Sequence, residues 1–417
     1  MTSDLALGLA AHIDRHHQDA VAFLAELVKV PSDNPPGDCA PHGARAAELL
    51  ERLGFTVERH PVPADAVAAN GMVSATNLIV RHRFGPNPAS GPTIALNAHG
   101  DVVAPGEGWT SDPYGAEIRD GRMVGRGVAV SKSDFATYAF ALKALIASGA
   151  RLEGTVELHF TYDEEVGGQI GPGRIIETGL SKPDYVISAG FAYNVVIAHN
   201  GCLHLEVRVE GKSAHAARPD TGIDALEAAT RLLTSLYALR EGYQATRSNV
   251  PGIGHPTLVV GLIEGGINTN VVPDLVTFRL DRRMIPEEMP ETVERDLVAA
   301  IEAAAAELPG VRVKIRRVLL ARPLQPLPGQ EKLVAALQRH AATVLGETIP
   351  ADGVPIYTDA RLYSGAGIPA VLYGAGPRTL LEANGHRADE NLVLEDLRKA
   401  TKVVALTLAD LLSSGNP

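Results

Sequence analysis

The order of predicted elements along the chain constrains its fold more than any single motif does. Up to residue 200, amphipathic helical patterns alternate with short apolar strands such as Thr93–His99 and Asp184–Gly190. The same alternation resumes after a Pro-rich segment at 321–330. Strands that alternate with helices predict an α/β fold in three layers, α/β/α.

The pattern changes between these two segments. It becomes strand, helix, strand, strand, helix, strand, which is typical of a ferredoxin-like α+β domain. The strands fall at 203–210, 257–263, 275–283 and 311–318, and the helices fall at 223–239 and 290–305. We therefore predict a larger domain made of residues 1–200 and 321–417, with a smaller domain of residues 201–320 inserted into it.

Composition and charge exclude several classes of protein. Hydrophobic residues make up 45% of the 417 residues and charged residues 21%, as in soluble globular chains. No apolar stretch reaches the roughly 18 residues of a membrane span, and the net charge of -11 argues against a nucleic-acid partner. Two cysteines, Cys39 and Cys202, make no disulfide framework, and the N-terminal residues lack the pattern of a secretory signal. We predict a cytoplasmic protein.

Polar residues cluster at the ends of predicted strands, where ligands bind in open α/β sheets. His99 ends one strand and Asp101 follows it, three acids at 163–165 follow another, and His386 lies in a loop after a third. Taken singly, these are more often a loop pair, a solvated turn and a surface histidine. Together, two histidines and a carboxylate beside a second acid are the components of a hydrolytic zinc-type site.

Five motifs in a fixed order carry a resemblance to a known family. They are HGDVVAPGEGWTSDPYGAEIRDGRMVGRG, DEEVGG, GKSAHAARPDTGIDAL, GGINTNVVPD and GHRADE. Over nearly its whole length the chain resembles the aminoacylase, carboxypeptidase G and succinyl-diaminopimelate desuccinylase family of co-catalytic metallohydrolases. The resemblance implies a metal-dependent hydrolase that cleaves a C–N bond, of an amide, N-acyl amino acid or peptide-like type, in a small carboxylate-bearing substrate.

The resemblance implies a role for each matching residue of the larger, catalytic domain. His99, Glu165 and His386 are the expected metal ligands. Asp101 is the carboxylate expected to orient His99, and Glu164 is the general base expected to take a proton from the attacking water.

The inserted domain then corresponds to a lid and dimerisation domain. His215 is expected to help stabilise the oxyanion of the tetrahedral intermediate, and Asn270 and Arg283 are expected to hold the substrate carboxylate. An exposed edge of this domain's sheet can pair with its own copy, so we predict a homodimer or a larger homo-oligomer.

Two positions depart from the family pattern, and both concern metal ligands. Where the family has an Asp after G-R-G that bridges two metals, this chain has Val130, and where it has an acidic ligand before the lid, this chain has Ala189. Two metals about 3.5–4 Å apart need a bridging anion. We therefore predict one divalent transition metal per chain, zinc or manganese, bound by two His and one Glu with an open fourth position. Asp134, one helical turn beyond Val130, is a further candidate ligand.

The altered ligand set leaves two other functions open. One is an aminohydrolase reaction like that of 5-nitroanthranilate aminohydrolase, which belongs to this family and replaces an aryl amine by hydroxyl. The other is a non-catalytic relative that acts in binding or assembly. The retention of several buried-type acids and histidines argues against the second, because an inactive site has no physical need for such a cluster.

Overall fold

The computed structural model describes residues 2–86 and 91–413, and in this part the chain divides into two compact units. The first unit contains the described residues up to Ile197, together with Pro326–Asp352 and the described residues from Thr358 onwards. The second unit contains Ala198–Gln325 and Gly353–Tyr357. No helix among the described residues combines the length and the apolar character that crossing a lipid bilayer requires.

The described residues form eleven α-helices and seventeen strands, numbered in chain order. The helices are α1 (Ser3–Arg15), α2 (His17–Val28), α3 (Ala40–Arg52), α4 (Ala64–Ala69), α5 (Lys132–Ser148), α6 (Pro172–Glu177), α7 (Ala225–Tyr243), α8 (Pro290–Ala306), α9 (Gln330–Leu345), α10 (Ala360–Gly365) and α11 (Leu394–Leu411). The strands are β1 (Val57–Pro61), β2 (Thr76–Phe84), β3 (Thr93–His99), β4 (Glu117–Arg119), β5 (Arg122–Val124), β6 (Gly154–Thr161), β7 (Tyr185–Ser188), β8 (Val195–His199), β9 (Gly201–Glu210), β10 (Ala214–His215), β11 (Thr257–Gly265), β12 (Val271–Val272), β13 (Leu275–Met284), β14 (Arg312–Ala321), β15 (Ala351–Val354), β16 (Ala370–Leu372) and β17 (Asn391–Val393).

An eight-stranded sheet forms the frame of the first unit, with the strand order β1-β2-β6-β3-β7-β16-β8-β15. The four central strands, β6, β3, β7 and β16, run parallel to one another. All eight residues of β6 are buried, so both faces of the sheet are covered there, as expected for parallel strands in α/β proteins. This confirms the predicted α/β class.

Helix α5 joins the central strands to the outer helices. Its Phe135 ring stacks on Phe160 of β6 at 3.9 Å between ring centroids, and α1, α2 and α11 pack against α5. The helix ends where Gly149 adopts a left-handed conformation, which glycine reaches without a steric penalty. The start of α5 lies at the carboxyl edge of the sheet, where Asp134 in its first turn accepts hydrogen bonds from the backbone after β7 and β16.

The second unit has the predicted order of strands and helices. Its antiparallel sheet has the strand order β11-β13-β9-β14, with α7 and α8 as the two connecting helices. Alternate residues of β9 and β13 are buried in a core shared with both helices: Leu203, Leu205, Val207, Val209, Phe278 and Leu280. Because side chains alternate across a strand, the residues between them lie on the opposite face of the sheet.

Candidate active site

The carboxyl ends of β3 and β6 bring together the predicted ligands of the first unit. The two strands are parallel neighbours, and His99, the last residue of β3, pairs with Thr161, the last residue of β6. The acidic run at 163–165 therefore begins beside His99. The run enters a short 3-10 turn, and Gly167 and Gly168 follow with φ of 114° and 71°, values that allow the sharp reversal of the chain.

Three of the predicted side chains converge at this edge. The ligand atoms of His99, Glu164 and Glu165 all lie within 4.8 Å of one another, with 4.0 Å between His99 Nε2 and Glu164 Oε2. His386, in the loop before β17, places its Nε2 atom 3.5 Å from Glu165 Oε1. The two histidines and two glutamates that the sequence analysis selected thus share one location.

Asp101 is completely buried and determines the conformation of the acidic turn. Its Oδ1 accepts a hydrogen bond from the backbone N–H of Glu164 at 3.2 Å, and its Oδ2 accepts one from the N–H of Glu165 at 3.1 Å. Asn34 Nδ2 donates to the same Oδ2 at 2.9 Å. The Nδ1 atom of His99 lies 3.0 Å from the Asp101 carbonyl oxygen, a contact that directs Nε2 towards the acids.

The cluster is electrostatically unbalanced towards negative charge. Burial raises the pKa of Glu164, the charge of His99 opposes this shift, and the charges of Glu165 and Asp101 add to it. Burial alone would lower the pKa of His99, but the charge of Glu164 and the hydrogen bond with Asp101 raise it well above its usual value. Excess negative charge in a buried position favours a bound cation.

A divalent cation fits the residues that are present. Glu165 Oε1 is buried, and the 3.5 Å approach of His386 Nε2 is too long to satisfy it among the described residues. A bound cation would remove the cost of leaving this carboxylate oxygen unsatisfied. Imidazole nitrogen and carboxylate oxygen are also the donor types that zinc and manganese accept.

The two positions that lack a carboxylate lie beside this cluster. Val130 precedes Ser131, whose hydroxyl contacts the backbone N and O atoms of His99 at 3.1 and 3.0 Å. Ala189 donates its N–H to the carbonyl of Asn97, two residues before His99, at 2.8 Å. Neither side chain can ligate a metal, so these two positions supply no bridging anion.

Asp134 uses its carboxylate to connect strand ends. Oδ1 accepts from the N–H of Ala375 at 2.7 Å, and Oδ2 accepts from the N–H of Gly190 at 3.2 Å. Burial raises the pKa of Asp134 to about 7, although these two hydrogen bonds lower it. Both oxygens therefore accept hydrogen bonds from the loops that follow β7 and β16.

Sequence reasoning missed a buried acid behind the acidic turn. Asp359 immediately precedes α10, and neither of its carboxylate oxygens has a hydrogen-bond partner among the described residues. A Cβ atom added to Gly168 would lie 2.2 Å from Asp359 Oδ1, so the glycine makes this close approach feasible. Burial raises the pKa of Asp359, and the charge of Glu164 adds to the shift. The only sequence signal at this position is Asp-x-Arg before a helix. This short pattern lacks the periodicity that identifies buried positions, so it did not single out Asp359.

A buried ion pair supports the loop that contains Val130. Arg126 Nη1 donates to Glu390 Oε2 at 2.6 Å, and both side chains are 1% exposed. Glu390 Oε1 accepts hydrogen bonds from the backbone N–H groups of Ala129 at 3.0 Å and Val130 at 3.2 Å. Glu390 closes the GHRADE motif, but sequence reasoning gave it no role.

The second unit brings together two of its three predicted residues. His215 of β10 pairs with Val271 of β12, and the N–H of Ala216 donates to the Asn270 carbonyl at 3.0 Å, so His215 and Asn270 are neighbours. Arg283 lies on β13, and Asp281 accepts hydrogen bonds from its Nε at 2.9 and 3.2 Å and from its Nη2 at 3.0 Å.

Histidines and glutamates at the carboxyl edge of a parallel sheet define a class of hydrolases that use a divalent metal. Residues 95–410 match the model of peptidase family M20/M25/M40. The chain therefore belongs to this family and is a metallohydrolase of the class that acts on C–N bonds, as the sequence predicts.

Individual relatives agree with this assignment. The chain is 29% identical over 405 residues to a succinyl-diaminopimelate desuccinylase of Gluconacetobacter diazotrophicus, an alignment that covers 94% of this chain and 97% of the relative. Its fold resembles that of a dipeptidase of Saccharomyces cerevisiae, with a TM-score of 0.78, 15% identity and full coverage of both chains. It also resembles a dinuclear metal-binding M20 peptidase of Bacillus subtilis, with a TM-score of 0.68, 18% identity and coverage of 96% and 99%.

The Arg126–Glu390 pair provides a test of how the site is supported. Glu390→Gln keeps the side-chain shape but leaves Arg126 buried without a counter-ion, which we expect to cost about 3–5 kcal/mol of the free energy of unfolding. The emission of Trp109, the single tryptophan, can follow denaturant unfolding, because Arg126 lies 5.2 Å from its ring centroid. Glu395→Gln, which breaks a partly exposed pair with Arg398, is the control and should cost no more than about 1 kcal/mol. Equal losses in the two variants would contradict the supporting role.

Proposed function

We propose that this chain hydrolyses the amide bond of a small N-acyl amino acid or peptide that carries a free carboxylate. The observation that carries the proposal is the convergence of His99, Glu164 and Glu165 ligand atoms within 4.8 Å at the carboxyl edge of the central strands. The family assignment supports amide hydrolysis in general. The substrate class is inferred from the chain's own residues and from the desuccinylase that it resembles.

Three side chains are proposed to hold one divalent metal, zinc or manganese. His99 and Glu165 are positioned by the Asp101 hydrogen bonds, and His386 approaches Glu165 from the loop before β17. The absence of carboxylates at Val130 and Ala189 supports one metal rather than two. Such a metal supplies Lewis-acid polarisation of the substrate carbonyl and lowers the pKa of water.

Glu164 is proposed as the general base. Its carboxylate lies in the same cluster as that of Glu165. Its Oε2 is 4.0 Å from His99 Nε2, whereas Glu165 Oε1 is 3.5 Å from His386 Nε2. The pKa of Glu164 is raised, and a general base works best when its pKa lies near the pH of the reaction. Glu164 would accept a proton from the attacking water and return it to the departing nitrogen.

Residues of the second unit are proposed to recognise the substrate. His215 and Asn270 lie side by side on an exposed two-stranded ladder, where imidazole and amide N–H groups can bind an oxyanion. Arg283 is proposed to bind the substrate carboxylate. Asp281 accepts from its Nε and Nη2 atoms, so we assign the substrate contact to Nη1.

We also propose that the protein is cytoplasmic and forms a homodimer through β11. The two edges of the second sheet differ in charge. Strand β14 carries Arg312, Lys314, Arg316 and Arg317, which discourage pairing with a copy. Strand β11 carries exposed Val259, Leu262 and Ile263 and a single acid, Glu264. Its partner is therefore a second copy of β11.

Turnover tests the proposed base. Glu164→Gln removes the proton acceptor and should lower kcat on an N-acyl amino acid by about 10²–10⁴-fold, while leaving bound metal in place. Glu177→Gln, on an exposed position at the end of α6, should leave kcat unchanged. Initial rates should be measured over a panel of N-succinyl and N-acetyl amino acids, dipeptides and amino-aromatic acids. If the panel shows turnover only of amino-aromatics, the aminohydrolase reaction replaces amide hydrolysis.

Elemental analysis tests the number of metals. The natural chain should hold about one metal more than His99→Ala or Glu165→Ala, because each variant removes one of three ligands. Restoring two carboxylates in Val130→Asp/Ala189→Glu should raise this difference towards two. If the natural chain holds two metals more than His99→Ala or Glu165→Ala does, another residue must bridge two metals, and the one-metal proposal is wrong.

Light scattering tests the dimer. Leu262→Lys places a charge on the proposed pairing edge and should convert a dimer into a monomer, because charged side chains on an edge strand, lysine above all, discourage strand pairing. Val318→Lys makes the same change on β14, where Val318 is also exposed, and should leave the mass unchanged. A natural chain that is monomeric, or a dimer that tolerates the first substitution but not the second, would contradict pairing through β11.

A further inference from the structure

The second unit contains a cluster of cysteine, histidine and aspartate that the proposed reaction does not use. Cys202 and His204 are two residues apart on β9, and Asp281 and Arg283 are two residues apart on β13. The register places Asp281 opposite His204 and Arg283 opposite Cys202. The four side chains therefore form a square on the face of the sheet opposite the two helices, where directly paired side chains are in contact.

Three potential ligand atoms converge within this square. Cys202 Sγ lies 3.1 Å from His204 Nε2, His204 Nε2 lies 2.9 Å from Asp281 Oδ2, and Sγ lies 3.8 Å from the same Oδ2. A tetrahedral zinc ion with ordinary Zn–S, Zn–N and Zn–O bonds separates such donors by about 3.3–3.6 Å. Adjustments of about 0.5 Å would bring the three atoms to these separations.

The arrangement differs from a nucleophilic Cys-His-Asp triad. In a triad the acid and the nucleophile contact opposite nitrogens of the imidazole, so that the ring can pass a proton between them. Here Sγ and Oδ2 both contact Nε2. Donors that converge on one point suit a shared cation instead.

From this convergence we infer that Cys202, His204 and Asp281 form a binding site for a thiophilic divalent cation such as zinc. The cation would displace the thiol proton of Cys202 to solvent, since the thiolate is the ligand form. It would connect β9 to β13 and keep its fourth position open.

Burial and charge around the cluster agree with this site. Cys202 is fully buried, whereas the His204 and Asp281 side chains are 35% and 30% exposed, so a cation can approach from the solvent side and contact sulfur last. Arg283 Nε donates to both carboxylate oxygens of Asp281, and Nη2 donates to Oδ2, an arrangement in which the carboxylate is the acceptor form. Arg283 also fixes the orientation of this carboxylate, as outer residues do at metal sites.

Cobalt provides a probe that reports sulfur ligation directly. Titration of the full chain with Co²⁺ should produce thiolate-to-cobalt charge-transfer absorption, because only a bound thiolate gives that band. Cys202→Ser should abolish the band, and His204→Asn, at a partly exposed position, should weaken Co²⁺ binding at least about tenfold. Cys39→Ser removes the only other cysteine and should leave the band unchanged, since Cys39 lies in the core of the first unit.

The same measurement separates this site from the proposed catalytic site. His99→Ala should keep the cobalt–thiolate band while it loses the metal of the first unit, and Cys202→Ser should show the reverse, with one zinc fewer by elemental analysis. Absence of the band from the natural chain, or its persistence in Cys202→Ser with normal circular dichroism, would overturn the inference. Neither result would bear on amide hydrolysis.

Discussion

The buried carboxylate of Asp101 is the interaction on which the catalytic edge depends. A buried carboxylate is stable only when hydrogen bonds replace its lost hydration, and here backbone N–H groups of Glu164 and Glu165 supply them. These bonds fix the direction in which the acidic turn leaves β6. The backbone carbonyl of Asp101 also contacts the His99 ring, so one residue sets the positions of the proposed base and of two proposed ligands that follow separate strands.

The regular elements could be predicted from the sequence because their apolar patterns are local. The strand predicted at Thr93–His99 is β3, with the same limits, and the predicted inserted order of strands and helices is that of the second unit. Along β6, apolar Val156 and Leu158 alternate with polar Glu157 and His159, a pattern typical of a strand with one exposed face. All four are nevertheless buried, and His159 is satisfied there by contacts with Glu157 and Tyr363 at 2.9 Å. Alternation in a sequence predicts which face of the sheet each side chain lies on, but it does not predict whether other segments cover that face.

The site could be predicted only in part, since its residues come from distant segments. Family motifs selected His99, Glu164, Glu165 and His386, and the structure brings these four together, while their roles stay predictions. Asp359 had no motif of its own, because its importance arises from burial against the turn at Gly168. Single-sequence reasoning detects residue types and spacing, but it does not detect which segments will exclude water from one another.

Charge balance connects the two altered positions to the rest of the edge. Five carboxyl groups already lie at this edge, those of Asp101, Asp163, Glu164, Glu165 and Asp359, where His99 and Arg361 carry compensating positive charge. Carboxylates at Val130 and Ala189 would add two further negative charges, which are tolerable only if a second cation enters with them. Without these two carboxylates, the net negative charge of the edge is smaller, and one divalent cation neutralises a larger share of it. The paired absence of acids at these positions is therefore consistent in charge with the one-metal site that we propose, whereas absence of one alone would leave a buried charge without a partner.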